Sequence, residues 1–368
     1  MGKTYIYSYS FSLAFFVLLL FPGYLSSNNH QVNSIQGVVT DKETGKPISA
    51  AHVYLSHTTI GTTTDANGEF EFSTNLTGRV TVVFSFIGYK TDTYELNLDS
   101  EQSSHHINIE LEPILIELNE VEVIGSNKEW QQNYEEFKRH FIGTNRYAKR
   151  TVIENPWVLD FEKDDDGNLS ASASEPVIIT NHALGYRIHI DLIDFNWGLS
   201  GFTNFYTFYS LFEELEPVNR AQQREWNQTR ERVFKGSSKH FFISLYDDKL
   251  SRNRFETVLP GTDARVQVAR PDEVELNQFL IRNSKARLKI SRNWKPFKLS
   301  RPVDILYGRR SNLKEERTRS RLVPLNQSGI FLISENGKLN DPKSIRFDGE
   351  WSNKRVANFL PDDIRFDN

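Results

Sequence analysis

Residues 37–48, GVVTDKETGKPI, and residues 61–70, GTTTDANGEF, decide how this chain begins to fold. Each runs β-branched residues into a cluster of turn formers. Asp41 to Gly45 and Asp65 to Gly68 both end on a glycine that accepts positive φ at no steric cost. The two stretches therefore predict two β-hairpins. Outward from them the strand signals continue. Residues 35–40 alternate, residues 51–56 put Ala51, Val53 and Leu55 on one face, and residues 69–72 alternate strictly. Residues 80–86, 89–98, 106–111 and 121–124 add further short apolar segments. Seven or eight short strands at even spacing, with no helical periodicity among them, predict a β-sandwich.

The start of the chain reads as an export signal. Lys3 is the only charge before Asp41, and an apolar run over residues 11–21 ends at Pro22-Gly23, with Ser26 and Ser27 before the expected cleavage. That run is short for a bilayer span, which takes about 20 residues. Residues 1–27 are accordingly assigned as a signal peptide; retention as an uncleaved anchor stays open, because Tyr5 and Ile6 extend the apolar character. The chain has no cysteine at all. This removes disulfides, thiolate metal sites, thiol nucleophiles and a lipidated cysteine together. An exported chain of this length without disulfides points to a bacterial envelope, in the periplasm or at the outer membrane or cell surface. Charge is uneven: residues 35–125 carry 14 acidic and 4 basic side chains, and residues from 126 onward carry 34 and 39. The change of sign supports a domain boundary near Ser126.

The order of these motifs resembles a known family. The run G-V-V-T-D-x-x-T-G-x-P-I-x-x-A-x-V-x-L, then G-T-x-T-D-x-x-G-x-F-x-F, then Ser85-Phe-Ile-Gly-Tyr89, is similar to the carboxypeptidase regulatory-like domain. The resemblance implies a transthyretin-like β-sandwich common in envelope proteins of Bacteroidetes-type bacteria and at the N-terminus of TonB-dependent outer-membrane receptors. Residues 120–125, EVEVIG, resemble the short strand that follows the domain in those receptors. It implies a fold rather than an activity.

Past residue 125 the pattern changes. Trp130, Tyr134, Phe137 and Phe141 recur at helical spacing and predict a core-facing helix over 129–141. Strands are expected over 148–154, 157–161, 169–173, 177–180 and 186–195. A polar, arginine-rich helix follows over 219–234, and another over 240–250 with Ser237 or Ser238 as its N-cap. The remainder alternates again, with a hairpin at Glu335-Asn-Gly-Lys338. The expected architecture is mainly β: a sandwich over 33–112, a connector over 113–127 with one short strand, and a β-rich α+β domain with two or three helices over 128–368. The stretches FKGSSKHF (234–241) and GEWSNKR (349–355) also resemble segments of bacterial proteins named only for their regulatory-like domain.

Chemistry-bearing motifs are few. A zinc carboxypeptidase needs His and Glu three residues apart, and none of the nine histidines has Glu at the third following position. Gly198-Leu-Ser-Gly201 lacks the spacing of a nucleophile elbow. Gly236-Ser-Ser-Lys-His240 gathers hydroxyls, an amine and an imidazole, and reads as a helix start. Asp164-Asp-Asp-Gly-Asn168 hints at calcium but fails the EF-hand spacing and reads as a turn between Phe161 and Leu169. His105 and His106 are adjacent on a strand and so point to opposite faces. Residues 285–321 hold 13 basic and 3 acidic side chains with Trp294, Phe297 and Tyr307 interleaved. Export makes nucleic acid an unsuitable partner for that stretch; anionic lipid or lipopolysaccharide phosphate is more compatible, and solvated strands and loops explain it best. The aromatic run of Trp197, Phe202, Phe205, Tyr206, Phe208, Tyr209 and Phe212 has the composition of a sugar-stacking face, yet its mixed period predicts a buried strand or an interface.

No catalytic residue, metal ligand or cofactor is assigned. The expected function is a non-catalytic envelope protein that binds a protein or glycan partner through its second part, with possible outer-membrane association. Two alternatives stand beside it: an accessory component of a TonB-linked outer-membrane transport system, and a hydrolase using Ser237, Ser238, Lys239 or His240. The chain is too short to hold a 22-stranded barrel of its own as well.

Overall fold

A computed structural model describes residues 32–99, 102–114, 128–198, 205–282, 294–308, 317–364 and 366. The signal peptide expected at 1–27, the strand expected at 121–124 and Phe202 lie outside them.

Seven strands come first: β1 Asn33–Asp41, β2 His52–Leu55, β3 Gly61–Thr63, β4 Glu69–Thr74, β5 Arg79–Ser85, β6 Asp92–Asn97 and β7 Ser104–Leu111. They build two sheets, ordered β4-β1-β7 and β3-β2-β5-β6. Buried and half-buried residues alternate along β1, as a strand with one face in a core requires. Ile35 and Val39 meet Val53, Leu55, Phe70, Val82, Phe84 and Leu111 between the sheets. The expected sandwich is present.

The two expected hairpins are not its strand pairings. Both turns form: Asp41 Oδ1 accepts from the amides of Glu43 and Thr44 at 2.9 and 2.7 Å, and Asp65 Oδ1 from those of Asn67 and Glu69 at 2.8 Å. Beyond the first turn, however, Thr40 meets Pro47 only in an isolated bridge. β1 instead pairs with β4 antiparallel and with β7 in parallel. Beyond the second turn the flanking strands part company, because β3 belongs to one sheet and β4 to the other. Residues 65–68 are thus a corner between sheets. An isolated two-stranded hairpin is marginal, whereas crossing between sheets lets both flanks feed one core.

The second part opens with helix α1 Lys128–Phe141, whose Phe137 and Phe141 are buried. It covers a six-stranded sheet of β8 Thr151–Ile153, β9 Leu159–Lys163, β10 Leu169–Ala173, β11 Val177–Asn181, β12 Tyr186–Trp197 and β13 Phe205–Glu214. One edge of β12 is shared by β11 and β10, and β13 takes the other. The segments expected as strands from 148 and 157 each begin with a short 3-10 turn instead.

Helix α2 Arg220–Phe234 is capped by Asn219, and α3 Ser238–Tyr246 by Ser237, whose hydroxyl accepts from the His240 amide. α3 ends four residues short of the expected end at 250. Around it lies a further core, made with the ribbon and sheet of β14 Phe255–Val258, β15 Trp294–Lys298, β16 Val303–Tyr307, β17 Thr318–Pro324, β18 Ile330–Ser334 and β19 Ile345–Gly349. β14-β16-β17-β19 form one sheet and β15-β18 a two-stranded ribbon. The hairpin expected at 335–338 is a tight turn that returns only the bridge Ile333 to Leu339. A fourth helix, α4 Glu273–Arg282, exceeds the two or three expected. Its signal was in the sequence: Asp272 accepts from the Glu275 amide at 2.8 Å, and Glu275 accepts from the Asp272 amide at 3.2 Å, a reciprocal capping box.

The sandwich packs on this second part through the outward face of β2. Tyr54 is buried with Val83 against Leu211 and Tyr209. Asp191 of β12 accepts hydroxyl hydrogen bonds from Tyr54, from Ser85 at 2.7 Å and from Thr91 at 2.9 Å. Among the described residues no helix is long and apolar enough to cross a membrane.

Candidate functional site

The Gly236-Ser-Ser-Lys-His240 cluster does not assemble into a catalytic set. Ser237 is used as the helix cap. Lys239 Nζ donates to the carbonyls of Pro361, Asp362 and Ile364 at 3.2, 2.8 and 3.4 Å, and so anchors the C-terminal segment. His240 Nδ1 accepts from the Gly236 amide at 3.1 Å, while its ring packs between Phe234 and Phe255. Burial, followed by the charge of Lys235, pushes that imidazole down to about 4. Ser237, Ser238 and Lys239 do border a cleft of about 420 Å³, together with Phe212, Trp351 and Phe359. The two resembling stretches, 234–241 and 349–355, meet there, joined by Trp351 Nε1 donating to the Gly236 carbonyl at 2.7 Å. The polar atoms of those side chains are largely spent on holding this junction together.

The other candidates are also accounted for. Asp164 accepts from the backbone of Asp166 and Asn168 and from the Asn168 side chain, which closes a turn and holds its carboxyl below the usual range. His105 is buried beside Asn33, and His106 is exposed on the opposite face. Among the described residues no group of His, Asp or Glu has the arrangement of a metal site. The basic stretch is described only in part, since 283–293 and 309–316 lie outside. Within the rest, Arg319 and Arg321 both pair with buried Asp304, Arg317 with Glu256, and Lys298 with Glu275. The aromatic run divides by strand parity along β13. Phe208 and Phe212 face the core under α1, while Tyr209 and Leu211 face the sandwich, so both faces are covered from Phe208 to Phe212, and Phe205 at the start of the strand is exposed.

What the sequence did not reveal is a groove of about 1110 Å³ between α4, the β15-β18 ribbon and the edge of the sandwich. Its floor is apolar: Leu299, Ile330 and Phe331 are buried there, and half-buried Phe279 of α4 stands at the side. Its walls present neutral amides and hydroxyls from Gln278, Ser300, Gln327 and Asn340, beside the charged side chains of Arg79, Glu275, Lys298, Arg301 and Asp341. The turn at its centre is firmly built. Asn326 Nδ2 donates to the Ile330 carbonyl at 2.9 Å, and Ser328 donates to Asn326 Oδ1 at 2.9 Å. Gly329 sits at φ +64°, and a Cβ there would lie 2.0 Å from the Leu299 carbonyl oxygen. Amides that both donate and accept, set around an apolar floor, suit a ligand with alternating hydroxyls and C–H faces. The residues come from five separated segments, so no local motif marks them; residues 326–329, NQSG, read simply as a turn.

Residues 35–123 match the family model of the CarboxypepD_reg-like domain. No curated protein matches the chain. Among solved structures, a 3-chlorocatechol 1,2-dioxygenase from Rhodococcus opacus 1CP aligns at 11% identity over 24% of this chain and 62% of its own, with a TM-score of 0.20. This chain thus spans less than two thirds of that enzyme's length. A DUF3823 family protein from Bacteroides ovatus ATCC 8483 aligns at 10% identity over 50% of this chain and 82% of its own, with a TM-score of 0.18. A Bacteroides fragilis NCTC 9343 protein of unknown function, described as a candidate membrane-associated protein, aligns at 13% identity over 86% of this chain and 93% of its own, with a TM-score of 0.19.

Proposed function

Because residues 35–123 match the CarboxypepD_reg-like domain, we propose that this chain is a non-catalytic binding protein of the bacterial cell envelope whose groove beside α4 takes a glycan. The groove carries the reading. It is open, large enough for several sugar units, floored by Leu299, Ile330 and Phe331 and lined by both neutral and charged hydrogen-bonding side chains. The N-terminal apolar run and the absence of cysteine support the envelope location. Of the residues of the hydrolase alternative, Ser237, Lys239 and His240 are each committed to local structure, and Ser238 borders the smaller cleft. In this reading the sandwich is a docked module that holds the second part in place and borders the groove through Arg79.

The test is a glycan array followed by calorimetry with the full mature chain. An oligosaccharide is retained and recovered chemically unchanged. Gln278→Ala and Gln327→Ala, both exposed in the groove wall, each weaken binding by about five- to tenfold, the worth of roughly one hydrogen bond. Retention of no glycan, or binding that ignores both substitutions, overturns the assignment.

A further inference from the structure

We infer, on the strength of the glycan reading, that the groove selects sugars bearing an anionic group and that the sandwich supplies part of the selecting charge. Five charged side chains line the groove: Arg79, Lys298 and Arg301 against Glu275 and Asp341. Lys298 and Glu275 neutralise each other in an ion pair. Asp341 turns one carboxylate oxygen onto the Lys343 amide at 2.9 Å, as the cap of a 3-10 turn. Arg79 and Arg301 are exposed, and neither is in an ion pair within the described residues. The balance of the groove is therefore positive, in a chain whose net charge is −4. Both uncommitted cations are arginines, whose planar guanidinium meets a carboxylate or phosphate through two parallel hydrogen bonds.

The placement of Arg79 is built rather than incidental. It opens β5 of the sandwich, 222 positions before Arg301 in the chain. Lys338 Nζ donates to its carbonyl at 3.1 Å. The preceding Gly78 leaves room for the Trp294 ring, which a Cβ would approach to 2.8 Å, and Trp294 Nε1 donates to Asp99 at 3.1 Å. These contacts tie the sandwich edge to the β15-β18 ribbon and hold the base of Arg79 at the groove. A ligand reaching from α4 to that edge is read by both parts of the chain at once.

The experiment compares tetragalacturonate with its fully methyl-esterified twin, which keeps the sugar backbone and removes the charge. Calorimetry on the full chain at about 20 mM salt is expected to show the acid bound roughly tenfold more tightly. The preference shrinks at about 300 mM salt, as screening requires. Arg79→Gln and Arg301→Gln each remove about three- to fivefold of the acid's affinity, the scale of one exposed ion pair, and leave the ester unchanged. A tetrasaccharide with phosphate monoesters in place of the carboxylates decides which anionic group fits better. If acid and ester bind equally, or if the arginine variants weaken both alike, charge selection is refuted while the glycan reading stands. If neither saccharide binds and the array retains none, the glycan reading falls and takes this inference with it.

Discussion

Gly37 shows how much a single missing side chain can decide. It lies in β1, where a Cβ would sit 1.7 Å from the Ile107 carbonyl oxygen of β7. The parallel pairing of β1 and β7 depends on that gap. Gly37→Ala must push the strands apart or bend β1, and is expected to cost about 1–3 kcal/mol, read as a lower urea midpoint. An unchanged midpoint would mean the two strands have room to spare. At Gly68 a Cβ would likewise crowd the Val39 carbonyl oxygen, at 2.5 Å, but there is also a local need: the residue sits at φ +75°, a property of its own turn. That need was legible in Asp65-Ala-Asn-Gly68, because a turn is made by adjacent residues. The need at Gly37 was not, because its cause is 70 positions away.

At the scale of elements, β2 is the piece whose two faces do different work. Ala51, Val53 and Leu55 fill the sandwich, as their alternation predicts. His52 and Tyr54 point the other way and meet β12 and β13. The His52 ring lies 5.9 Å from that of His189, which is 3.2 Å from Glu213. Burial, then the His189 ring, lowers the pKa of His52, with Glu213 and Asp191 partly opposing. His57, whose Nδ1 is 2.9 Å from Ser210 Oγ, is likewise lowered by burial and by Lys338, against Asp362. An undocked sandwich would expose both rings and restore their usual value of about 6.5. The free form then binds more protons, so docking is at full strength above about pH 6.5 and weakens as pH falls below it. Hydrogen exchange, corrected for its intrinsic pH dependence, is expected to rise at acid pH in residues 52–58 and 205–213 before it rises in the sandwich core. In the double variant His52→Gln, His57→Gln that dependence flattens; if it persists, other groups govern the junction.

For the whole molecule, the question is whether sandwich and second part unfold together. Asp191 ties them through the hydroxyls of Tyr54, Ser85 and Thr91, all donated from the sandwich. A carboxylate enclosed by three donors holds both surfaces in one register, and its removal orphans all three. Leaving buried polar groups unsatisfied costs about 1–3 kcal/mol each. Calorimetry near neutral pH is expected to show one unfolding transition for the native chain and two for Asp191→Ala. Two transitions already in the native chain would show that the junction does not couple the parts.

The sequence by itself determined the local devices: the alternating strands of the sandwich, the turns closed by Asp41 and Asp65, the amphipathic helix of Phe137 and Phe141, and a serine cap at 237 or 238. Each depends on residues within a few positions of one another, where period and turn chemistry act directly. Only the tertiary structure decided that β1 pairs with β4 and β7 rather than folding back as a hairpin, that Ser237, Lys239 and His240 serve structure, and that Arg79, Gln278, Arg301 and Asn326 share one groove. Those outcomes rest on burial and on contacts between distant segments, which a linear pattern carries only as a set of unpaired faces.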